Sequence, residues 1–360
     1  MSSVYLNILK SLVARLLGHV PEPCFVTYLV TWRCNCRCIF CSIWKKGAAK
    51  QEELSVEDAV KIFSNLKSLD VLRITGGEPF LRDDLAELIN SIDALCSPAF
   101  IHITTNGFLT DRILSCINNI ARPHKIHIKV SIDAIGEKHD IIRGIRGVYM
   151  RSMETVKELT SMARKNGMTV GINQAITDEN HIQDYLELKQ LAYGLGIAIY
   201  PVIAHDASNA LYSQSTESGP TQIEFKTFSE FSPEAMEKCL RFFMDESAKN
   251  CSFSERIVDY YYQKGLYNRL VLRRNIPNPR CVALSNHLRI LPNGDVPVCY
   301  FNNDIVGNLL ETSWSTLKMD LKTIAMRRWI AKCPGCWESC EVIPSAVYSG
   351  DLVRGFFCVS

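Results

Sequence analysis

The stretch Phe25-Val-Thr-Tyr-Leu-Val-Thr31, followed at once by Cys34-Asn-Cys-Arg-Cys-Ile-Phe-Cys41, decides the reading of this chain. The first part is rich in β-branched and aromatic residues and predicts a strand. The second part holds Cys34, Cys38 and Cys41 in a C-x3-C-x2-C spacing, with Cys36 out of register between them. Three thiolates this close can hold three corners of a cubane iron–sulfur cluster and leave the fourth iron open to a ligand. A zinc knuckle is the alternative, but zinc ordinarily takes four ligands, and no histidine lies near this loop.

Outward from this point the chain alternates. Helix-like 55–68 begins with Ser55 and carries Glu57 and Asp58 in its first turn. Strand-like 71–75 follows, ending at Gly76-Gly77-Glu78-Pro79. Helical 84–95, strand 100–104, helix 111–120 and strand 126–132 come next, then helix 152–165, strand 169–175, helix 182–194 and strand 197–202. Six β-α alternations in about 180 residues predict a parallel sheet with helices outside it. The expected fold class is α/β, a partial (β/α)6 TIM-like barrel, with an open doubly wound sheet as the other arrangement. Both place the active site at the carboxyl ends of the strands. The cysteine loop, Gly76–Pro79, Asn106-Gly107, Ser131–Asp133 and His205-Asp206 all fall there. His205 and Asp206 are candidate acid–base groups on that position alone.

Composition fits a folded enzyme, with 47% hydrophobic and 22% charged residues. The formal net charge of +2 gives no sign of a nucleic-acid partner. The 15 cysteines are grouped in short steps, which in a reducing cytosol means metal rather than disulfides. Residues 4–20 form an amphipathic helix, with Leu6, Leu9, Val13, Leu16, Leu17 and Val20 near one face, interrupted by Lys10 and Arg15. It is too short and too charged to span a bilayer, and no secretory cleavage site follows it. The apolar face either docks on the domain or lies on a membrane surface. The expected location is cytoplasmic, with peripheral membrane contact left open.

The cysteine loop after a first strand, with Phe40 before its last cysteine, resembles the radical S-adenosylmethionine (radical SAM) superfamily. So do Gly-Gly-Glu-Pro after the second strand and His139–Gly144 following Ser131-Ile132-Asp133. The resemblance covers residues 24 to about 205. It implies that Cys34, Cys38 and Cys41 hold a [4Fe-4S] cluster and that S-adenosylmethionine chelates its open iron. It further implies cofactor-binding roles for Phe40 (on the adenine), Gly76 and Gly77 (close backbone approach to the ligand), Glu78 (the methionyl ammonium), Pro79 and Asn106. Ser131 and Asp133 would serve the ribose, and Arg143 the methionyl carboxylate. Cys36 is expected to point away as a free thiol.

The second half holds a separate cysteine set. Cys281 and Cys299 flank Pro292-Asn-Gly-Asp295, which between apolar runs 287–291 and 296–300 reads as a hairpin turn. A helical stretch over 313–330 leads to Cys333-Pro-Gly-Cys336-Trp-Glu-Ser-Cys340. Zinc would suit such a set as well as an iron–sulfur cluster. The Gly294-x4-Cys299 step, Gly307-Asn308-Leu309 and the terminal C-x2-C resemble the SPASM/twitch extension of the same superfamily. That implies one auxiliary [4Fe-4S] cluster on Cys281, Cys299, Cys333 and Cys336, with Cys340 and Cys358 spare or supporting a second cluster. The expected organisation is an N-terminal helix (1–22), the barrel (23–205), a linker with connecting helices (206–280) and the auxiliary domain (281–360). Tyr260, Tyr261, Tyr262 and Tyr267 read as a helical core face.

Two function classes follow. In one, hydrogen abstraction by a 5′-deoxyadenosyl radical modifies a small molecule, peptide or lipid, and the auxiliary cluster passes an electron or binds substrate. In the other, the chemistry is redox-neutral (epimerisation, rearrangement, lipid or isoprenoid modification) and the C-terminal site is structural. No winged-helix peptide-recognition domain is visible at the N-terminus. An external one-electron donor such as flavodoxin or ferredoxin is implied.

Overall fold

A computed structural model describes residues 2–47, 52–67, 69–206, 211, 227–247 and 253–353. Cys251, Cys358 and most of the segment 206–235 lie outside the described residues. The six expected strands form: β1 (Phe25–Thr31), β2 (Val71–Gly76), β3 (Phe100–Thr105), β4 (Ile126–Ser131), β5 (Thr169–Ile176) and β6 (Ala198–Ile203). They lie side by side in chain order, all parallel.

A seventh strand, β7 (His287–Ile290), pairs in parallel with the free edge of β1, Thr27 opposite Arg289. This corrects the expected hairpin. The turn at 292–295 is present, but the strand before it joins the barrel sheet. Its partner is instead taken by β8 (Asp295–Pro297) pairing antiparallel with β9 (Ile305–Asn308). An unpaired edge of β1 would leave backbone donors and acceptors without ladder partners, and β7 satisfies them.

Alternation along each strand sorts the two faces of the sheet. Val26, Tyr28, Leu72, Ile74, Ile101, Ile103, Ile128, Val130 and Ile172 pack in the main hydrophobic core. The helices on that side contribute from α2 (Val56–Ser64), α3 (Leu85–Cys96), α4 (Thr110–Asn118), α6 (Val148–Asn166) and α7 (His181–Leu195), with the short α5 (Glu137–Arg143) between β4 and α6. Ser55 caps α2 as expected, its side chain accepting from the Asp58 N–H. The opposite face carries Thr27, Arg73, Thr75, His102, Thr104, Lys129 and Arg289. This polar face is roofed by α8 (Pro233–Ser247), α9 (Phe253–Leu270) and, after α10 (Trp314–Leu317) and α11 (Leu321–Ile330), α12 (Ser339–Ser349). The single helix expected over 313–330 is broken at Asp320, which caps α11 by accepting from Lys322 N–H.

The N-terminal helix α1 (Ser2–Leu16) docks by its polar side. Asn7 donates to Asp70 at 2.7 Å, Asn286 donates to the Ser11 hydroxyl at 2.7 Å, and Arg15 donates to Asn286 at 2.7 Å. Leu6, Leu9, Val13, Leu16 and Leu17 remain exposed, Leu16 by 87%.

Candidate active site

The cysteine loop leaves β1 at the carboxyl rim of the sheet and is held from three sides. Gly77 N–H donates to Thr31 C=O and Glu78 N–H to Arg33 C=O, both at 2.8 Å. A Cβ on Gly76 would lie 2.3 Å from the Thr31 oxygen, and one on Gly77 2.0 Å from the Arg33 oxygen. The glycines are therefore required by the close approach of the two loops. On the second side, Arg37 N–H donates to Arg143 C=O and Ile39 N–H to Ile142 C=O. On the third, Asn106 Nδ2 donates to Asn35 Oδ1 at 2.7 Å.

Glu78 is 1% exposed. Its carboxylate accepts from Thr105 Oγ1 and Asn106 N, each at 2.8 Å, and from Phe80 N. Burial pushes its carboxyl up to about 7 against these donors. These contacts tie the β2 loop to the β3 end. Pro79 is buried at the first position of a single 3-10 turn capped by Glu78, so it shapes the loop.

Asp133 and Arg143 form a buried ion pair. Arg143 Nε lies 2.7 Å from Asp133 Oδ2, and Nη2 donates to Oδ1 at 2.9 Å. Asp133 is 0% exposed and also accepts from Ala175 N. Arg143 reaches Cys38 Sγ at 3.5 Å and lies 5.5 Å from the Phe40 ring centroid. Burial works against the guanidinium charge, and Asp133 outweighs it, so its proton is held more tightly than usual. Asp133 therefore serves as the carboxylate partner of Arg143. Ser131 sits at the β4 end in register with Asn173.

Cys36, Cys38 and Val148 form a buried cluster, with Cys34, Phe40, Cys41, Phe108 and Ile145 packed against it. Cys36 is buried in the same cluster as Cys38. Its proximity, together with Arg143 and against burial, lowers the pKa of the Cys38 thiol. Burial pushes Cys34 up to about 12 and Cys41 to about 11. Soft sulfur donors gathered in a shielded loop beside a fixed cation suit an anionic iron–sulfur cluster.

The second cysteine set also converges. Cys281, Cys299, Cys333 and Cys336 line one pocket with Trp329, Trp337 and Glu341. Backbone N–H groups of Asn302 and Gly335 donate to Cys299 and Cys333 sulfur at 3.3 and 3.4 Å, contacts that favour a charged thiolate. Among the described residues no three ligand side chains converge on a single-ion site. Trp337 anchors the C-x2-C step. It is fully buried, stacks on Tyr261 and Tyr262, donates to Tyr262 C=O and lies under Arg269. A Cβ on Gly265 would meet its ring at 1.7 Å, so α9 needs a glycine there. Tyr261, Tyr262 and Tyr267 are core residues as expected, whereas Tyr260 faces outward and is exposed.

Cys340 is separated from that pocket. It lines the large cavity on the inner face of the sheet, about 410 Å³, together with His205, Glu338, Tyr262 and Tyr300. His205 faces Glu338 at 2.9 Å and Tyr300 Oη at 3.0 Å. Burial disfavours its charge, but Glu338 outweighs it and raises its pKa. Asp206, the other acid–base candidate, is exposed and outside the lining.

Glu341, which sequence reasoning missed, joins the C-terminal segment to the barrel. It receives Arg289 at 2.7 Å, His287 at 2.9 Å and Tyr300 N–H at 3.2 Å. Arg73, His102, Lys129 and Arg289 were missed as well. Their signal was present: parallel strands ordinarily read as continuous apolar runs, so polar residues at every second position mark a wet inner face.

Residues 28–191 match the radical SAM superfamily. That stretch is a radical SAM domain. The chain is similar to the pre-heme d1 synthase of Dinoroseobacter shibae, 30% identical over 171 residues, covering 47% of this chain and 40% of that protein. It is also similar to a probable GTP 3′,8-cyclase of Methanothermobacter marburgensis, 26% identical over 309 residues, covering 81% and 88%. The chain spans about half the length of the first curated relatives it matches. Among solved structures it resembles Streptococcus suis SuiB bound to S-adenosylmethionine, with a TM-score of 0.58 at 17% identity, covering 88% of this chain and 71% of that one. At that identity the likeness concerns the fold. The radical SAM domain accounts for β1 to β5 and the loop at their carboxyl rim.

Proposed function

We propose that this chain is a radical SAM enzyme that removes a hydrogen atom from a substrate held in the cavity on the inner face of the sheet. Cys34, Cys38 and Cys41 would hold a [4Fe-4S] cluster. Bound there with S-adenosylmethionine, it supplies one-electron reductive cleavage and a 5′-deoxyadenosyl radical. Phe40, Ser131 and Asn106 stand around the loop as ligand-facing or loop-positioning residues, and Arg143 keeps positive charge against Cys38. Cys281, Cys299, Cys333 and Cys336 would hold one auxiliary [4Fe-4S] cluster in a module beginning at residue 281. Cys340 is left as a thiol of the substrate cavity. The observation that carries this reading is the topology: the cysteine loop follows the carboxyl end of β1, and the cavity is lined by inner-face residues of the same parallel sheet and by the C-terminal segment.

The matched relatives are named for a heme precursor and a nucleotide, so the shared domain is expected to set the radical chemistry and the cavity to set the substrate. A small molecule or a short peptide segment fits 410 Å³. A flavodoxin- or ferredoxin-type donor would supply the electron. All cysteines among the described residues are free, consistent with a reducing cytoplasm.

Anaerobic reconstitution tests the two-cluster count. About eight irons per chain are expected, falling to about four when Cys281, Cys299, Cys333 and Cys336 are all replaced by Ala. Four irons with one zinc in the parent protein would make the C-terminal site structural.

A membrane surface is a second partner, favoured by the exposed apolar side of α1. The cleft at its end is lined by Arg15, Arg280, Arg327 and Arg328, so charge and apolar surface lie together. No helix among the described residues is long and apolar enough to cross a membrane. The protein is expected to co-sediment with vesicles containing phosphatidylserine, and Leu9→Asp with Leu16→Asp is expected to abolish this. Parent protein that stays in the supernatant would remove the membrane from the account.

A further inference from the structure

The cavity floor carries a cation without a counter-charge. Arg73 on β2 lies opposite Thr27 on β1 and His102 on β3. Thr75 shares its face two residues on, and Thr104 stands beside Thr75 on β3. All line the cavity.

The neighbouring charges have partners. Glu341 takes Arg289 and His287, Glu338 takes His205, and Glu246 takes Lys189. Lys129 lies 3.5 Å from the Tyr200 ring centroid, and both it and Asp259 are engaged further. Arg73 lies 5.2 Å from the Phe25 ring centroid, near Cys340, His287 and His102, and makes no ion pair with a carboxylate among the described residues. Burial, together with Lys129, Arg73 and His127, keeps the His102 imidazole well below its ordinary range, so it is neutral. The same positive field favours an anion. On the opposite wall, the buried Tyr262 hydroxyl and Gln263 Oε1 have no hydrogen-bond partner. A cavity with an unpaired guanidinium and unmade hydrogen bonds is built for a polar ligand.

We propose that the substrate presents an oxyanion, a carboxylate or a phosphate, to Arg73 and the Thr75 and Thr104 hydroxyls at the deep end of the cavity. The inference rests on the reading of this cavity as the substrate site. Guanidinium binds either oxyanion through two parallel N–H···O bonds. Arg73 stands three residues before Gly76, so at ~3.3 Å per residue it lies about 10 Å below the rim. A substrate anchored there would extend upward to the cysteine loop and expose to it a carbon about that far from its charged end.

The test is the thermal unfolding midpoint of the reconstituted full chain, titrated with sodium phosphate or sodium acetate at ionic strength held constant by sodium chloride. A saturable rise of about 2 °C is expected at ten times the dissociation constant of at least one of these anions. Preference for phosphate would indicate a phosphoryl group on the substrate, and preference for acetate a carboxylate. Arg73→Gln should abolish the rise, Arg73→Lys should weaken it, and Arg112→Gln, a surface residue paired with Asp83, should leave it intact. Should Arg73→Gln not fold, the weaker response of Arg73→Lys decides. No rise with either anion in the parent protein, or an undiminished rise in the Arg73 variants, overturns the proposal. Release of 5′-deoxyadenosine by the parent protein reports the radical reading separately, so that reading survives failure of the anion site.

Discussion

Asp133→Ala is expected to lower stability by about 3–5 kcal/mol and to leave the cysteine loop unable to retain iron. Asp133 is fully buried and is the carboxylate partner of Arg143. Removing it leaves a guanidinium in a low-dielectric interior that keeps its Cys38 sulfur and Phe40 ring contacts but has lost its ion-pair partner. That state costs far more than the pair contributes, because desolvation of the charge is no longer compensated. The damage is local to the site. Arg143 and Ile142 carbonyls accept the Arg37 and Ile39 N–H groups, so movement of α5 moves the loop that carries Cys38. Asp133→Asn keeps the shape and an acceptor for Ala175 N–H, and should lose less stability than Ala. Denaturant unfolding and iron per chain measure the two effects. An Asp133→Ala protein with parental stability and parental iron would show that the pair does not hold the loop.

Glu341→Ala is expected to destabilise by a similar amount, about 3–5 kcal/mol, and to loosen the C-terminal segment from the barrel. Burial alone would raise this carboxyl; His287 and Arg289 outweigh it and bring it down to about 2. Its removal takes the carboxylate from the Arg289 guanidinium, the acceptor from His287 Nδ1 and the acceptor from the Tyr300 N–H. The three partners belong to β7 and to the segment just after Cys299, while Glu341 belongs to α12, five residues after Cys336. The contact therefore fixes the distance between the two halves of the second cysteine set. Glu341→Gln keeps an acceptor for Tyr300 N–H and should be milder than Ala. Loss of the auxiliary iron with retention of the Cys34/Cys38/Cys41 iron is the expected pattern. Equal loss from both sites would mean general unfolding instead.

Much of the barrel was legible because its signals are local. Strand composition, Ser55 before α2 and glycines at strand ends are short-range features, and the six strands formed in the expected order. The pairing of β7 with β1 was not legible, since an apolar run beside Pro-Asn-Gly-Asp looks the same whether it closes a hairpin or completes a distant edge. The protein partners of Glu78, Asp133 and Gly77 were not legible for a related reason. The motif located them correctly, but whether a polar group faces a ligand or another loop depends on what packs beside it. Glu78 is occupied by Thr105 and Asn106, and Asp133 by Arg143, residues 10 to 28 positions away. The split of Cys281, Cys299, Cys333 and Cys336 from Cys340 was half legible. Spacing joined Cys333 to Cys336, but only the turn into α12 sends Cys340 to the cavity side.

The most direct test of the central claim is the formation of 5′-deoxyadenosine by the anaerobically reconstituted protein, reduced with dithionite in the presence of S-adenosylmethionine. The account predicts 5′-deoxyadenosine above the reagent background in the parent protein and none from Cys38→Ala, with the C-terminal iron unchanged. A fully iron-loaded parent protein that releases no more 5′-deoxyadenosine than Cys38→Ala would contradict it.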